Sequence, residues 1–333
     1  MTRPEFEGGF KGARVFITGG MGFIGSNLAL RLADLGAEVT LADSLPPGFG
    51  GNPFNIDGYE NRLHVHRTDL RDEAGFAGLL VNHEFVFNLA GQVSHVLSMK
   101  DPATDTDINV RGQLFFLEAC RRYAPGAKIV FSSTRQVYGP PQYLPVDENH
   151  PLAPIDVNAV NKLAAEWYHL LYGRVYGIHA SVLRMANVYG PRMRVKDNLK
   201  TFVGWWIHQL LEGEAVTVFG DGHQLRDLLF VDDAVDALLI AAFDPGSDGL
   251  IFNVGGEEPV RLQELAQMMI ELNGSGSYQT VAFPPERKRI EIGDFRTDTT
   301  KIRRQLGWQP DVRLRDGLTR TLDFYRKNRE HYW

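Results

Sequence analysis

"FITGGMGFIGSNLA", residues 16–29, is the stretch that decides the fold. Three of its glycines, Gly19, Gly22 and Gly25, stand between a β-branched run and an amphipathic helical pattern. Glycines at such positions let the backbone turn tightly and approach a pyrophosphate, whose charge then rests at the helix N-terminus. Gly20, Gly22 and Gly25 also satisfy the other common dinucleotide spacing, so spacing alone does not choose between subfamilies. The stretch predicts a strand–turn–helix unit that binds a dinucleotide.

An acidic residue follows the next predicted strand, "EVTLAD", at Asp43. A carboxylate at this place accepts hydrogen bonds from the ribose hydroxyls of adenosine and repels a 2′-phosphate. No arginine or lysine follows it through Gly58 to compensate that repulsion. The pattern therefore favours NAD over NADP, and the alternative is an ordinary turn aspartate before "SLPPG".

Outward from this unit, short strand patterns alternate with helical ones. Strands are predicted at "ARVFITGG", "EVTLAD", "LHVHRTDL", "FVFNLAG", "KIVFSST" and "HASVLRMANVYG", and helices at "IGSNLALRLADLG", "NVRGQLFFLEACRRYAP" and "VNKLAAEWYHLLYGRVYG". This alternation predicts an α/β fold, a Rossmann-type doubly wound parallel sheet with helices on both faces. After about Pro191 the rhythm is less regular, with helical stretches near 261–272 and 299–306. The first dozen residues are polar and Gly-rich, and we expect them to be a loose lead-in.

Composition limits the class of protein. The chain has 333 residues, of which 44% are hydrophobic, and is long enough for two domains with a large core. Its net charge is −6 and its basic residues are scattered, so a nucleic-acid partner is not expected. No apolar run approaches the ~20 residues of a membrane helix, and no signal peptide opens the sequence. The single cysteine, Cys120, excludes an internal disulfide and suits a reducing cytoplasm, where we expect the protein to be located.

Eight short motifs occur in an order that resembles the extended short-chain dehydrogenase/reductase family, specifically its nucleotide-sugar epimerases and dehydratases. They are "TGGMGFIG", "TDLRD", "NLAGQVS", "INVRG", "FSSTRQVYG", "LRMANVYGPR", "VFGDGHQLRDLLFVDD" and "DTTKIRRQLGWQP". The likeness runs from about Arg14 to Tyr325, and the ordered combination is far more specific than any one motif. It implies an NAD-binding domain followed by a smaller C-terminal domain that binds a nucleotide sugar.

The resemblance also implies where each domain lies. Residues 1–185, with 228–254 returning to them, would form the NAD-binding Rossmann domain, and 186–227 with 255–330 the substrate domain. Asp69 would help to frame the adenine, unless it only caps the helix that follows. The implied cofactor-binding residues are Gly19, Gly22, Phe23, Ile24, Gly25, Asp43, Asp69, Leu70, Leu89, Ala90, Asn109 and Lys162.

The family's catalytic set is a Ser or Thr after the fifth strand and a Tyr-x-x-x-Lys on the next helix. Tyr and Lys four residues apart share a helix face; the Lys lowers the pKa of the Tyr, which exchanges a proton with a sugar hydroxyl. Here Thr134 takes the hydroxyl position and Lys162 the lysine position, but "DVNAVNKLAAE" has Asn158 at the tyrosine position. None of the eleven tyrosines is followed four residues later by a lysine. Since an amide cannot act as a general base, the proton relay must differ from the family's.

Several side chains are candidates for the missing acid/base group. His95, in "GQVSHVL", follows the loop that faces the cofactor and is the candidate we assign, with a structural histidine as the alternative. Tyr138 lies one turn beyond Thr134, where aromatic packing is the plainer role. Asp156 is expected to be the N-cap of its helix. Lys162 could itself serve if burial lowers its pKa.

The second half of the chain supplies the substrate residues that the resemblance implies. They are Asn187, Asn198, Leu199, Thr217, Phe219, Arg226 and Arg289. The two arginines suit a diphosphate because a guanidinium offers planar, bidentate donors. Surface ion pairs are the alternative for both, and the register leaves Arg287 open in place of Arg289.

The residues after Thr134 narrow the reaction. The family's 4,6-dehydratases carry an Asp-Glu pair there, and its decarboxylases usually keep a Glu in this region, whereas this chain has Arg135 and Gln136. The favoured reaction is therefore NAD-dependent epimerisation of a nucleotide-diphosphate sugar, with a UDP-hexose and C4 preferred, by transient oxidation and re-reduction. The alternatives are a dehydratase or oxidoreductase of another reaction type and a non-catalytic protein that binds NAD and a nucleotide sugar. No metal site is expected.

We also expect a homodimer through the helices at roughly 103–123 and 158–173. Large apolar patches on helix surfaces mark interfaces. Four large apolar side chains on these helices would otherwise lie partly in water: Phe115, Phe116, Trp167 and Leu171.

Overall fold

The computed structural model describes residues 3–46 and 48–333 of the chain. The strands, numbered in chain order, are β1 Arg14–Thr18, β2 Glu38–Ala42, β3 Leu63–His66, β4 Phe85–Asn88, β5 Lys128–Thr134, β6 His179–Met185, β7 Asn187–Tyr189, β8 Val216–Phe219, β9 Leu225–Arg226, β10 Leu228–Phe230, β11 Ile251–Val254, β12 Val260–Arg261 and β13 Tyr278–Val281. The α-helices are α1 Arg3–Gly8, α2 Phe23–Asp34, α3 Glu73–Ala77, α4 His95–Lys100, α5 Pro102–Thr106, α6 Gly112–Tyr123, α7 Val157–Tyr176, α8 Phe202–Glu212, α9 Val231–Phe243, α10 Leu262–Asn273, α11 Pro285–Lys288, α12 Thr300–Leu306, α13 Leu314–Lys327 and α14 Arg329–Tyr332. Short 3₁₀ segments lie at Pro53–Ile56, Arg135–Tyr138 and Pro245–Ser247, and a π-helical segment at Asp107–Arg111 joins α5 to α6.

A parallel sheet of seven strands, in the order β11-β6-β5-β4-β1-β2-β3, forms the centre of the protein. Val15 of β1 pairs with Val39 of β2 on one side and with Phe85 of β4 on the other. The strand order therefore reverses between β1 and β4, and in such sheets ligands bind at the carboxyl ends of the strands beside the reversal. The predicted Rossmann-type α/β fold is confirmed.

Two hydrophobic clusters divide most of the core between them. One joins side chains of β1 and β2 to α9 and β11, for example Leu41, Leu238 and Phe252. The other gathers α8, α10 and α13 away from the central sheet, for example around Trp206 and Met269. The segment that contains α9 and β11 thus packs with the sheet, although it follows part of the second cluster in sequence.

The N-terminal segment differs from the expected loose lead-in. It forms α1, and Phe6 and Phe10 are only 2% and 0% exposed. The ring of Phe10 lies 4.9 Å from that of Phe85 in β4. The prediction was wrong because it relied on the polar, Gly-rich composition of the segment. Two aromatic side chains are enough to fix the segment against the core.

The chain beyond Met185 also departs from the predicted pattern. The run "HASVLRMANVYG" forms two strands, because β6 stays in the central sheet whereas β7 pairs with β10 in a separate two-stranded sheet. The chain changes sheets at Ala186, whose N–H donates to the carbonyl of Val254 at 2.8 Å. This change carries the residues that follow over the carboxyl edge of the central sheet.

An apolar strip runs along the outer face of α7. Trp167 and Leu171 are 56% and 40% exposed, and Val160 and Val175 on the same face are also exposed. The expectation for Phe116 was wrong: this side chain is fully buried, with its ring 5.9 Å from that of Phe76. The strip remains the basis for proposing a homodimer.

The described part of the chain lacks two features of other protein classes. No helix there combines the length and the hydropathy required to cross a membrane. No group of three or more His, Cys, Asp or Glu side chains within the same residues could hold a metal ion.

Candidate active site

A cavity of about 480 Å³ lies over the carboxyl ends of β1, β2, β4 and β5, at the reversal of strand order. We call it the strand-end cavity. Of the residues expected to bind the cofactor, those that line it are Gly19, Gly22, Phe23, Ile24, Gly25, Asp43, Asp69, Leu70, Leu89, Ala90 and Lys162. Asn109 is not among the lining residues.

In the glycine-rich turn, backbone segments approach each other too closely for side chains to fit between them. Gly19 has a φ of +69°, and a Cβ on Gly25 would lie 2.2 Å from the carbonyl oxygen of Gly19. Helix α2 begins directly after Gly22 without a hydrogen bond from a capping side chain. The N–H groups of its first turn therefore remain available to an anion, which the helix dipole also favours.

Asp43 lies at the end of β2 and faces the glycine-rich turn. Its carboxylate accepts hydrogen bonds from the N–H of Met21 at 3.1 Å and of Leu45 at 2.9 Å. Burial raises the pKa of this carboxyl, and the two backbone hydrogen bonds oppose that rise. The acid thus fixes the turn and presents acceptor oxygens to the cavity.

Asp69 does not cap the helix that follows it. The N-cap of α3 is Asp72, which accepts a hydrogen bond from the N–H of Gly75 at 3.0 Å. Asp69 instead pairs with Arg71 at 2.8 Å, and hydrogen bonding from that guanidinium lowers the pKa of the carboxyl. The capping alternative is therefore excluded, and the ionised carboxylate lies in the wall of the cavity.

Asn109 lies behind the cavity wall and not in it. Its side chain is fully buried, and Nδ2 donates to the carbonyl of Gln92 at 2.9 Å and to Asp105 at 3.0 Å. A Cβ on Gly91 would lie 2.6 Å from Asn109 Oδ1. Asn109 therefore supports the loop at 91–92. It does not line the strand-end cavity, in contrast to the cofactor-binding role predicted from the sequence.

No sequence motif indicated Asp105, yet its buried carboxylate connects much of the site. Three amides donate to it: Asn109 at 3.0 Å, Asn158 at 3.1 Å and Asn161 at 2.8 Å. A carboxylate with no exposed surface needs such donors, because burial without them is costly. We call these four residues the Asp105 network.

The Asp105 network fixes how Asn158 faces the cavity. Asn158 is 2% exposed, and its Nδ2 donates both to the carbonyl of Gln92 at 2.7 Å and to Asp105 Oδ2 at 3.1 Å. Both partners only accept hydrogen bonds, so the amide cannot be flipped. Since Asn158 lines the strand-end cavity with its Nδ2 engaged, Oδ1 is the atom it offers to a ligand. It can accept a hydrogen bond from a hydroxyl and cannot exchange a proton.

Lys162 lies four residues further along the same face of α7. Its Nζ donates to the carbonyl of Ser132 at 3.1 Å and lies 4.7 Å from the ring centroid of Phe131. Burial lowers the pKa of Lys162 to about 8, against the attraction of Asp105. The ammonium is therefore charged at neutral pH and loses its proton under mildly alkaline conditions.

His95 begins α4 and forms a pair with Asp156, the residue that caps α7. The Nδ1 of His95 lies 2.9 Å from Asp156 Oδ1, which also accepts the N–H of Ala159 at 2.9 Å. Burial raises the pKa of Asp156, but the hydrogen bond from His95 and the backbone donors outweigh it and hold the pKa below its usual value. An ionised carboxylate requires a proton on Nδ1, so in the neutral imidazole Nε2 is the nitrogen that can accept a proton. The N-cap geometry predicted for Asp156 is present, and it also orients the imidazole.

Tyr138 does not line the strand-end cavity. It is fully buried, donates to Asn253 at 2.7 Å and accepts from Arg184 at 2.9 Å. Burial raises the pKa of Tyr138 to about 12. Tyr138 is therefore a packing residue, which was the alternative to the acid/base role considered for it.

A second cavity, of about 450 Å³, adjoins the first and extends under the C-terminal half. His95, Thr134 and Asn187 line both cavities and so mark their junction. The expected substrate residues that line the second cavity are Asn187, Asn198, Leu199, Thr217, Phe219 and Arg226. Lys200, which no motif indicated, also lies at the junction, and burial lowers its pKa to about 8.

The choice of Arg289 over Arg287 was wrong. Arg289 is exposed and lies outside the second cavity, whereas Arg287 lines it. Arg287 donates to Asn198 Oδ1 at 2.8 Å, and its guanidinium lies 5.3 Å from the ring of Phe219. Both arginines lie at the end of the short helix α11, and a register taken from sequence could not show which side chain turns inward.

Arg226 forms a buried ion pair, not a surface one. Its side chain is 7% exposed and pairs with Glu291 at 2.5 Å. It also donates to the carbonyl of Gly293 at 2.8 Å. Its charge is therefore largely compensated before any ligand arrives.

Comparison with known proteins gives consistent matches over nearly the whole chain. Residues 15–255 match the family described as the NAD dependent epimerase/dehydratase family. The chain is 35% identical to a UDP-glucose 4-epimerase of Mycolicibacterium smegmatis over 318 residues, which are 94% of this chain and 98% of that protein. A crystal structure of UDP-glucose 4-epimerase from Thermotoga maritima with UDP-glucose matches with a TM-score of 0.86 and 33% identity, over 95% of this chain and 99% of that one. A dTDP-glucose 4,6-dehydratase from Streptomyces venezuelae, solved with NAD bound, matches with a TM-score of 0.86 and 28% identity, over 95% and 98% of the two chains.

Proposed function

Because this chain belongs to the NAD dependent epimerase/dehydratase family, we propose that it is an epimerase that inverts C4 of a nucleotide-diphosphate sugar, with a UDP-hexose as the first candidate. We further propose that residues 1–185 with 228–254 bind NAD and that 186–227 with 255–330 bind the substrate. Homodimerisation through α7 and a cytoplasmic location belong to the same proposal.

The strand-end cavity fits NAD, the cofactor of the family. The close approach of Gly25 to Gly19 and the uncapped start of α2 suit a pyrophosphate. Asp43 at the end of β2 suits the adenosine ribose, and Lys162 suits the nicotinamide ribose at the other end of the cavity. Bound NAD supplies the acceptance and return of a hydride.

One observation carries the proposed reaction: His95 and Thr134 lie together where the two cavities meet. A sugar that extends from the second cavity into the strand-end cavity passes this junction. A hydroxyl there can hydrogen-bond Thr134 and transfer its proton to Nε2 of His95, while Asp156 stabilises the imidazolium. After the keto sugar has rotated to present its opposite face, the same nitrogen returns the proton to the oxygen. Asn158 Oδ1 orients the hydroxyl without ionising.

The residues after Thr134 support epimerisation over elimination. Loss of water from a sugar needs an acid and a base beside the reacting carbons. Arg135 and Gln136 occupy the two positions that follow Thr134, and both line the second cavity. Neither offers a carboxyl group.

The test is to incubate the purified protein with UDP-, GDP-, CDP- and dTDP-hexoses and to identify the products by NMR. We expect one hexose inverted at C4 and no loss of water. The variant His95→Gln should lower kcat by about 10²–10⁴-fold, the usual contribution of a general acid–base group, with NAD affinity unchanged. Tyr138→Phe is the matched control and should leave kcat close to the wild-type value, since Tyr138 lines neither cavity and its hydroxyl donates to Asn253. A dehydrated product, or full activity of His95→Gln, would contradict the proposal.

A further inference from the structure

The residue after Thr134 is a buried arginine that faces the second cavity. Arg135 is 9% exposed and begins the 3₁₀ segment at Arg135–Tyr138. Its guanidinium lies 4.8 Å from the ring centroid of Phe295, and its Nη2 donates to Asn187 Oδ1 at 3.1 Å. Stacking and this hydrogen bond hold the side chain in one position.

Arg135 has no carboxylate partner among residues 3–46 and 48–333. Its Nη1 is buried and makes no hydrogen bond. The nearest acids are engaged elsewhere: Glu291 pairs with Arg226, and Asp227 accepts from the N–H groups of Gly256 and Thr297. Burial and then the repulsion of Arg226 lower the pKa of Arg135 to about 9, so the group is charged at neutral pH. A buried charge without a partner is costly, and a bound anion would remove that cost.

Two more unpaired polar atoms belong to the same wall of the cavity. Asn187 Nδ2 and Gln136 Oε1 are buried without a hydrogen-bond partner, and both residues line the second cavity with Arg135. Two donors, from Arg135 and Asn187, and one acceptor in this wall therefore lack a partner within the described residues. This set matches a carboxylate that has a hydroxyl group beside it.

The position of Arg135 distinguishes the sugar from the nucleotide. Arg135 follows Thr134 at the junction of the cavities, where the reacting sugar must lie. Arg287 and Phe219 lie together elsewhere in the same cavity wall, where an aromatic face suits a base. Glu291 already compensates the charge of Arg226, whereas the charge of Arg135 has no such partner.

We propose that Arg135 binds a carboxylate carried by the sugar, so that the preferred substrate is a nucleotide-linked uronic acid, ahead of the neutral hexose. The inference rests on the proposed function and narrows its substrate class. A planar guanidinium can hold a carboxylate through two parallel hydrogen bonds, which a neutral hydroxymethyl group cannot form. The diphosphate offers the same oxygen chemistry, so the test must separate the two sources.

The experiment measures binding by calorimetry to the NAD-loaded protein with three ligands: UDP-glucuronate, UDP-glucose and UDP. We expect UDP-glucuronate to bind about 10–100-fold more tightly than UDP-glucose, as a charge-assisted hydrogen-bonded pair would give. Arg135→Gln should abolish this preference. Arg135→Lys keeps the positive charge but not the planar, bidentate guanidinium, and it should retain part of the preference. Arg287→Gln is the matched control and should weaken all three ligands alike.

Each other outcome has a distinct meaning. Equal affinity of the wild-type protein for UDP-glucuronate and UDP-glucose would overturn the inference, even if Arg135→Gln did not fold. An equal loss for all three ligands in Arg135→Gln would assign the arginine to the diphosphate and would also overturn it. If none of the three ligands bound, the choice of UDP would fail and the inference with it, whereas the proposed function itself is decided by the NMR assay with all four nucleotides.

Discussion

Replacing Asn158 by tyrosine introduces the residue that the family resemblance led us to expect at this position, and it tests whether the site uses a different proton relay or has only lost one. Asn158 Nδ2 donates to Asp105 Oδ2 at 3.1 Å and to the carbonyl of Gln92 at 2.7 Å. A tyrosine cannot replace the first bond in place, and an unpaired buried carboxylate oxygen costs about 1–3 kcal/mol. Asp105 retains two other donors, Asn109 and Asn161. We therefore expect Asn158→Tyr to lower the free energy of unfolding by about 1–3 kcal/mol without raising kcat.

Urea unfolding of the NAD-loaded protein and steady-state turnover measure the two quantities. Asn158→Ala removes the same hydrogen bonds without adding a ring, so it should lose similar stability and a moderate part of the turnover. Asn161→Ala removes another donor to Asp105 outside both cavities and should lose stability alone. If a proton relay were simply missing, the tyrosine would raise kcat by about 10²–10⁴-fold. Such a gain with unchanged stability and substrate affinity would refute the reasoning.

Three further predictions concern the cofactor and the assembly. Asp43→Ala should weaken NAD binding by about 10–100-fold, as the loss of hydrogen bonds to a carboxylate implies; equal wild-type affinity for NAD and NADP in fluorescence titration would contradict the assigned role. Because Lys162 has a pKa lowered to about 8 and is charged below it, NAD affinity should fall as pH rises through about 8. Lys162→Met should bind weakly at every pH, and an unchanged pH profile in that variant would count against the assignment. Light scattering should show a dimer, and Trp167→Glu with Leu171→Glu should give monomers, since both side chains are exposed on one face of α7; a wild-type monomer at micromolar concentration would rule the interface out.

Local patterns were sufficient for the half of the protein that holds the sheet. The glycine-rich turn, Asp43 and the alternation of strands depend on neighbours within a few tens of residues, and the strands lie where the patterns put them. The N-terminal segment shows the limit of composition, because Phe6 and Phe10 decide its packing.

The parts that could not be predicted depend on contacts between distant segments. Asp105 meets Asn158 across 53 residues, and no spacing rule links them. His95 meets Asp156 across 61 residues, so the sequence could offer each as a candidate but not the pair. Arg287 lines the second cavity and Arg289 does not, although only one residue separates them. In each case the geometry of the fold, not the local pattern, assigns the role.

The π-helical segment between α5 and α6 has a consequence for which insertions and deletions the chain can tolerate. The helix runs without a break from Pro102 to Tyr123, and the wider turn at Asp107–Arg111 holds one residue more than an α-helical turn would. A π-helical turn takes up its extra residue locally, so deleting one residue there would restore regular hydrogen bonding and leave the helices on either side nearly in phase. Asp105 would then still face α7 and keep its contact with Asn158. The same deletion within α7, between Asn158 and Lys162, would instead rotate one of these side chains by about 100° relative to the other. The active site therefore tolerates a change of chain length at this turn and not along α7.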